Sequence, residues 1–185
     1  LNNSSQNENP DFAADQQSGS ADSSQSGNDI SNLVQYGLTE AVKQQFEAIA
    51  SKDPELVAGR VARGDGISTF VHSSHTDYRA VSTFARIAHD DDSDVEPAQP
   101  TVGDWVLIRP GENLDPDEIE LVLPRTSLLA RKRVQRGKEE GSDQVLAANI
   151  TTVFVVQAAT YFNPNRLERE IALVWGSGAV PVVVL

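Results

Sequence analysis

The sequence predicts a mainly β protein in which a small five-stranded barrel precedes a strand–helix–strand unit. Between residues 56 and 122, apolar and polar residues alternate with a period of two in five short runs, separated by turn-forming residues. From Thr152 onward, a β-branched strand, a capped helix and a continuous apolar run follow one another. That order is typical of two parallel strands joined by a crossover helix.

The N-terminal segment has the composition of a disordered chain. Residues 1–30 contain seven Ser, five Asn and four Gln, with five acidic residues and no Lys or Arg. Such a segment buries too little apolar surface to offset the entropy lost on ordering, so we expect residues 1–36 to form a disordered acidic tail. Residues 37–55 are predicted to be a short amphipathic helix and linker, with Val42, Phe46 and Ile49 on the face that leans on the barrel.

Residues 56–128 are predicted to form the barrel. A long connection between the third and fourth strands suits a five-stranded Greek-key barrel of the OB type. An SH3-like barrel would give nearly the same pattern, so the periodicity leaves both open. The predicted strands are Val57–Ala62, Ser68–His72, Tyr78–Ile87, Asp104–Ile108 and Ile119–Val122.

Charge is distributed unevenly along the chain. The net charge is −12, and the five acids in residues 1–30 together with the five in residues 87–100 account for all but −2 of it. Residues 121–138, in contrast, carry six basic residues and no acid, and we expect residues 129–143 to be a basic linker. This stretch fits either a solvated linker or a segment that contacts phosphates. Its basic residues are Arg125, Arg131, Lys132, Arg133, Arg136 and Lys138.

The strand–helix–strand unit is the most informative part of the sequence. Asn163 is placed to cap a helix that has Pro164 in its first turn. The second strand, Val180–Leu185, is apolar throughout, as in strands buried on both faces of a parallel sheet. Ligands of open α/β sheets bind beyond the carboxyl ends of the strands, so we expect the decisive chemistry in residues that follow Leu185.

Five segments follow one another in a fixed order: VGDWV (102–106), LPRTSLLARK (123–132), QVLAANI (144–150), NRLERE (165–170) and GAVPVVVL (178–185). Together they resemble the ribosome-small-subunit-dependent GTPase A family, RsgA, and the similarity runs from about Leu38 to the end. Thr151 and Glu170 depart from the family pattern, which often has Asp and an aromatic residue there. The resemblance implies an OB-fold barrel followed by a circularly permuted GTPase domain, of which residues 144–185 would be the start.

The resemblance also implies function. The full-length protein is expected to be a monomeric, cytoplasmic GTPase that binds GTP, Mg²⁺ and one structural Zn²⁺ and assists late maturation of the small ribosomal subunit. The guanine-reading motif Asn/Thr-Lys-x-Asp, the P-loop and the zinc ligands are expected beyond Leu185, so this part alone is predicted to be inactive. Its expected role is docking on rRNA through Arg131, Lys132, Arg133, Arg136, Lys138, Arg60 and Arg63.

Several other functions find no support in the sequence. The chain has no cysteine and no Gly-x-x-x-x-Gly-Lys-Ser/Thr loop, which excludes disulfides, thiolate metal sites and nucleotide binding through a P-loop within it. The sequence contains no signal peptide and no apolar run long enough for a bilayer, so no membrane partner is expected. His72 and His75 lack a third ligand, and the acidic run 90–94 lacks the pattern of a calcium loop.

Two rival classes fit parts of the sequence. A stand-alone OB-fold nucleic-acid-binding module without catalytic activity would not need the strand–helix–strand unit at its end. A dinucleotide-binding enzyme would need a glycine-rich turn directly after Val156, where Gln157, Ala158, Ala159 and Thr160 stand instead.

Overall fold

The computed structural model describes residues 30–83, 85–88, 97, 99–132 and 143–185. In these residues, two short helices are followed by nine strands, a single-turn 3-10 helix (Ala159–Tyr161), one longer helix and a last strand. The predicted disorder of residues 1–29 and the acidic run 90–94 lie outside the described residues. The elements are a 3-10 helix (Ser31–Tyr36), α1 (Glu40–Ala50), β1 (Val57–Asp65), β2 (Ser68–Ser73), β3 (Asp77–Val81), β4 (Arg86–Ile87), β5 (Trp105–Arg109), β6 (Glu118–Val122), β7 (Leu128–Lys132), β8 (Asp143–Ala148), β9 (Thr152–Val156), α2 (Pro164–Gly176) and β10 (Val180–Val184).

Strands β1 to β6 form the predicted barrel. They are ordered β3-β2-β1-β5-β6-β4, and a parallel pairing of Val81 in β3 with Glu118 in β6 closes the ring. The first strand thus pairs with the second and with the strand after the long connection, which confirms the OB-type topology. Eight apolar side chains fill the interior: Val61, Val71, Ala80, Ala85, Val106, Ile108, Ile119 and Val122.

The predicted third strand, Tyr78–Ile87, is wrong as a single element. Its first part, β3, pairs with β2 up to Val81, and its second part, β4, pairs in parallel with β6. The chain changes partner between them, and Ala85 turns into the barrel core with 3% of its surface exposed. Closing so small a barrel requires this bend, because one straight strand cannot follow both β2 and β6.

A second core covers the outside of the barrel. Phe46 of α1 meets Trp105 of β5 edge to face, with ring centroids 6.0 Å apart, which confirms that the helix leans on the barrel. The 3-10 helix adds Leu33, which is fully buried. The expectation of disorder is therefore wrong for residues 31–36, because Leu33 finds an apolar partner surface that its polar sequence neighbours do not reveal.

The remaining strands form two separate pairs. β7 and β8 make an antiparallel hairpin, so both ends of the predicted basic linker, residues 129–132 and 143, belong to strands. β9 and β10 pair in parallel, and α2 packs on them through Val174, as predicted for a crossover. Asn163 caps α2 by accepting a hydrogen bond from the Arg166 N–H at 3.1 Å.

None of the helices in the described ranges is both long and apolar enough to cross a membrane.

Candidate nucleic-acid interface

The β7–β8 hairpin carries Arg131 and Lys132, two of the six basic residues of the basic stretch. Arg131 and Lys132 end β7, opposite Gln144 and Asp143 of β8. The Arg131 guanidinium donates through Nε and Nη2 to the Gln144 Oε1, at 3.2 and 3.1 Å. This acceptor is neutral, so the hydrogen bonds orient the guanidinium and leave its positive charge available for a phosphate. Arg133, Arg136 and Lys138 lie between the two strands in sequence and outside the described residues.

The hairpin is fixed to the barrel by close backbone contact. The Ala148 N–H at the end of β8 donates to the Val102 carbonyl oxygen at 2.8 Å. Gly103 has a φ of +89°, and a Cβ on it would lie 2.0 Å from the Ala148 carbonyl oxygen. Only glycine allows this approach, because both the backbone angle and the space exclude a side chain.

Asn149, directly after β8, strengthens the same junction. Its backbone has a φ of 53°, a left-handed conformation that Asn tolerates better than most residues. Its side-chain Oδ1 accepts from the Thr126 N–H at 2.8 Å, and its Nδ2 donates to the Gly103 carbonyl at 3.1 Å. The Asn149 side chain therefore joins the barrel to the segments that precede and follow the hairpin.

Arg60 on β1 makes several contacts within the protein. Its guanidinium donates to the Tyr36 carbonyl of the 3-10 helix and to the Asn149 carbonyl at 2.8 Å, and it lies 4.9 Å from the Trp105 ring centroid. Partial burial lowers the pKa of Arg60 from its ordinary value. These contacts occupy much of the guanidinium, and an RNA contact by Arg60 stays a prediction.

Arg63 lies on the same strand in different surroundings. Its side chain is 68% exposed, and its Nη2 pairs with Asp65 Oδ2 at 2.7 Å. The guanidinium carbon is 6.0 Å from the Phe70 ring centroid. Arg63 is therefore accessible to a phosphate, which would have to compete with one exposed carboxylate.

Arg125, the first of the six basic residues, is neutralised inside the protein. Its Nε and Nη2 donate to the two carboxylate oxygens of Asp104 at 2.8 and 2.7 Å. The hydrogen bond to Asp104 raises the pKa of Arg125. Sequence reasoning missed this pair because the two residues are 21 positions apart, and the available basic surface starts at Arg131.

His72 and its neighbours form an ordinary turn. The His72 Nδ1 lies 2.7 Å from Asp77 Oδ1, and the ring stacks on Tyr36. Ser73 Oγ accepts from the backbone N–H groups of His75 and Thr76. No group of three or more His, Cys, Asp or Glu side chains that could hold a metal ion occurs in the described part of the chain.

Comparison with known proteins identifies relatives along most of the chain, although no family model matches it. It is 35% identical to the small ribosomal subunit biogenesis GTPase RsgA 2 of Lactiplantibacillus plantarum over 155 residues, which are 83% of this chain and 41% of that protein. It is 35% identical to RsgA of Syntrophotalea carbinolica over 165 residues, covering 83% of this chain and 42% of the relative. For RsgA of Streptomyces coelicolor the identity is 33% over 168 residues, covering 88% of this chain and 41% of the relative.

Solved structures give weaker likenesses. YloQ, described as a circularly permuted GTPase, aligns over 69% of this chain and 39% of its own at 17% identity and a TM-score of 0.42. YjeQ from Thermotoga maritima covers 69% of this chain and 40% of its own at 18% identity and a TM-score of 0.44. The assignment therefore depends on the sequence relatives, of whose length the chain spans about two fifths. On that evidence the chain belongs to the RsgA family of small ribosomal subunit biogenesis GTPases, as the N-terminal portion of a member.

Proposed function

We propose that this chain is the part of a small-subunit biogenesis GTPase that docks on the RNA of the small ribosomal subunit. The observation that carries the proposal is the identity of about one third, over more than four fifths of the chain, to proteins named for that role. The OB-type barrel agrees with it, because such barrels commonly bind oligonucleotides. We further propose that the protein works as a monomer in the cytoplasm.

The β7–β8 hairpin is the proposed main contact. It places Arg131 and Lys132 at the end of β7, and its other strand, β8, is hydrogen-bonded to the barrel. The Arg131 guanidinium, oriented by Gln144, would therefore approach RNA from a defined direction. The proposed contact set adds Arg133, Arg136 and Lys138 from between the strands, with Arg63 and Arg60 of β1 as secondary candidates. Phosphate contacts by such residues supply affinity that falls as salt rises, because binding releases condensed counterions.

GTP hydrolysis is proposed for the whole protein, with GTP and Mg²⁺ bound outside this sequence and a structural Zn²⁺ in a further domain. The described residues fit none of these groups: the sequence has no P-loop and no cysteine, and the described side chains form no metal-binding group. The parallel pair β9–β10 agrees with the start of a circularly permuted nucleotide-binding domain, whose ligands would lie past the carboxyl ends of these strands.

Co-sedimentation with purified small ribosomal subunits tests the docking proposal. The unchanged chain and a double variant, Arg131→Gln with Lys132→Gln, are compared over a series of salt concentrations. We expect the double variant to bind more weakly and to have a flatter plot of log affinity against log salt, by up to about 0.9 for each duplex phosphate that is no longer neutralised. Glutamine keeps much of the side-chain length and removes only the charge.

A matched control removes two arginines from α2. Arg166→Gln with Arg169→Gln changes the net charge by the same amount on exposed helix positions. We expect this variant to co-sediment as the unchanged chain does. Equal weakening in both double variants would attribute the binding to net charge and would contradict a specific role for the hairpin. Failure of the unchanged chain to co-sediment would contradict the docking proposal itself and favour a binding module with another target.

A further inference from the structure

The outer face of β2 presents an aromatic residue between two arginines. Thr69, Val71 and Ser73 of this strand are buried, so the alternate residues, including Phe70, point to the outside of the barrel and are half-buried. The strand register places Arg63 of β1 opposite Phe70 on one side and Arg79 of β3 opposite it on the other.

The two arginines differ in how their charge is compensated. Arg63 pairs with Asp65, whereas Arg79 donates from Nε to the hydroxyl oxygen of Ser68 at 3.0 Å. In the part of the chain that the structure describes, no carboxylate forms an ion pair with Arg79. An uncompensated cation beside a half-exposed aromatic ring is the combination that single-stranded nucleic acids use, with phosphates near the cation and a base on the ring.

Neighbouring rings hold Phe70 in place. The His72 ring meets Phe70 edge to face, with centroids 5.2 Å apart and planes at 84°. The other neighbour of His72 is Tyr36 of the 3-10 helix, stacked at 4.7 Å with planes 3° apart. Tyr36 thus covers one face of His72. Of these three rings, Phe70 is the one left to stack on a ligand, and its neighbours orient it before a ligand binds.

Acidic residues limit where a strand of RNA could run. Val81, at the end of β3, pairs with Ser68 of β2 and with Glu118 of β6, which follows Asp115 and Asp117 in the β5–β6 connection. Phosphates would be repelled at that end of the sheet. A carboxylate also stands at the other end of β2, where Asp77 Oδ1 lies 2.7 Å from His72 Nδ1. The RNA strand would therefore cross β2 at Phe70, between Arg63 and Arg79.

We propose that Phe70 is a stacking platform for one unpaired RNA base, with Arg79 and Arg63 contacting the adjoining phosphates. The charge of Arg79 and the half-buried ring, which the Arg63 guanidinium approaches at 6.0 Å, favour RNA over a protein partner. Only an unpaired segment can offer the face of a base. This inference rests on the proposed docking function and goes beyond it by naming the form of RNA that the barrel recognises.

Fluorescence anisotropy with labelled RNA tests the platform on the full 185-residue chain. A short single strand and a duplex containing it are titrated against the chain and against Phe70→Leu and Phe70→Trp. We expect Phe70→Leu to weaken single-strand binding by roughly 5- to 150-fold, as removal of one stacked base does, and to leave duplex binding unchanged. Phe70→Trp should retain single-strand binding because it keeps an aromatic face.

A second pair of variants tests the charge and does not depend on the ring. Arg79→Gln is expected to weaken single-strand binding and to lower its salt dependence. Arg169→Gln is the matched control, since Arg169 is also an exposed arginine whose Nε donates to an uncharged oxygen, the Asn165 carbonyl. The control should bind as the unchanged chain does.

The outcomes separate this inference from the docking proposal. If Phe70→Leu and Arg79→Gln, folded as judged by thermal unfolding, bind the single strand as the unchanged chain does, the platform is wrong. Co-sedimentation of the unchanged chain with small subunits would then still uphold docking through the hairpin. Equal affinity of the unchanged chain for single strand and duplex would also overturn the platform.

Discussion

Arg125 and Asp104 form a bidentate ion pair, in which the Arg125 Nε donates to Asp104 Oδ1 at 2.8 Å and the Nη2 donates to Oδ2 at 2.7 Å. The Asp104 side chain is fully buried, and the Arg125 side chain is 19% exposed. Asp104 also accepts from the Thr101 N–H at 2.8 Å, and Arg125 donates to the Gln99 carbonyl at 3.0 Å. The pair therefore joins the start of β5 to the segment that leads into the β7–β8 hairpin.

Removing the arginine of this pair should be costly. Arg125→Leu leaves the Asp104 carboxylate buried without its cation, and breaking a buried pair in this way typically costs about 3–5 kcal/mol of unfolding free energy. Urea denaturation measures the loss. Arg166→Leu is the control, because Arg166 pairs with Glu170 on the exposed face of α2 and should cost no more than about 1 kcal/mol. Equal losses in the two variants would contradict the structural role of the buried pair.

The barrel–hairpin junction should not tolerate a side chain at Gly103. Gly103→Ala introduces a Cβ that would lie 2.0 Å from the Ala148 carbonyl oxygen, on a backbone with a φ of +89°. We expect a loss of roughly 2–5 kcal/mol in a denaturation experiment, from left-handed strain together with displacement of β8. Gly64→Ala is a matched control because a Cβ there meets nothing within 4 Å. A near-neutral Gly103→Ala would show that the close approach does not exist.

The stability of the folded protein should depend on pH through the carboxyl group of Asp53. A hydrogen bond from Arg109, at 2.6 Å, lowers the pKa of Asp53 below its ordinary value of 3.8. Because the folded-state pKa is the lower one, the ionised carboxylate stabilises the fold above about pH 4, and this contribution disappears as the pH falls through the folded-state pKa. The urea midpoint of the unchanged chain should therefore drop more steeply below about pH 4 than that of Asp53→Asn.

Parallel acid titration curves for these two proteins would contradict a role of the Asp53–Arg109 pair. Arg109 also contacts Glu120 at 2.8 Å and Glu55 at 3.1 Å, so part of the acid response remains in the Asp53→Asn variant. The comparison between the two curves isolates the contribution of Asp53.

The 185-residue chain should not bind guanine nucleotides by itself. It lacks both a phosphate-binding loop and the Asn/Thr-Lys-x-Asp motif that reads guanine. Titration with a fluorescent GTP analogue should give no saturable signal at micromolar concentrations. Saturable binding would place a nucleotide site among residues for which neither the sequence nor the described structure provides one.

Local patterns were enough to predict most elements. The alternation in residues 68–73 reflects a strand with one face toward the core, and the cap and proline at residues 163–164 mark the start of α2 through nearby backbone groups. The continuous apolar run likewise predicts the strand β10. These features depend on neighbours within a few residues, so they can be recognised in the sequence alone.

The tertiary structure decided the pairing of distant groups. Nothing near Arg125 in the sequence indicates that it pairs with Asp104. Nothing near Arg60 indicates that it donates to the carbonyls of Tyr36 and of Asn149, the latter 89 positions from Arg60. The burial of Leu33 and the break between β3 and β4 also depend on surfaces that exist only in the closed barrel. The sequence determined a barrel, a crossover and a cationic segment, because periodicity, capping and charge are local. Which of the described cations are paired with a carboxylate was decided by the fold, because a charge is neutralised by whatever lies beside it in space.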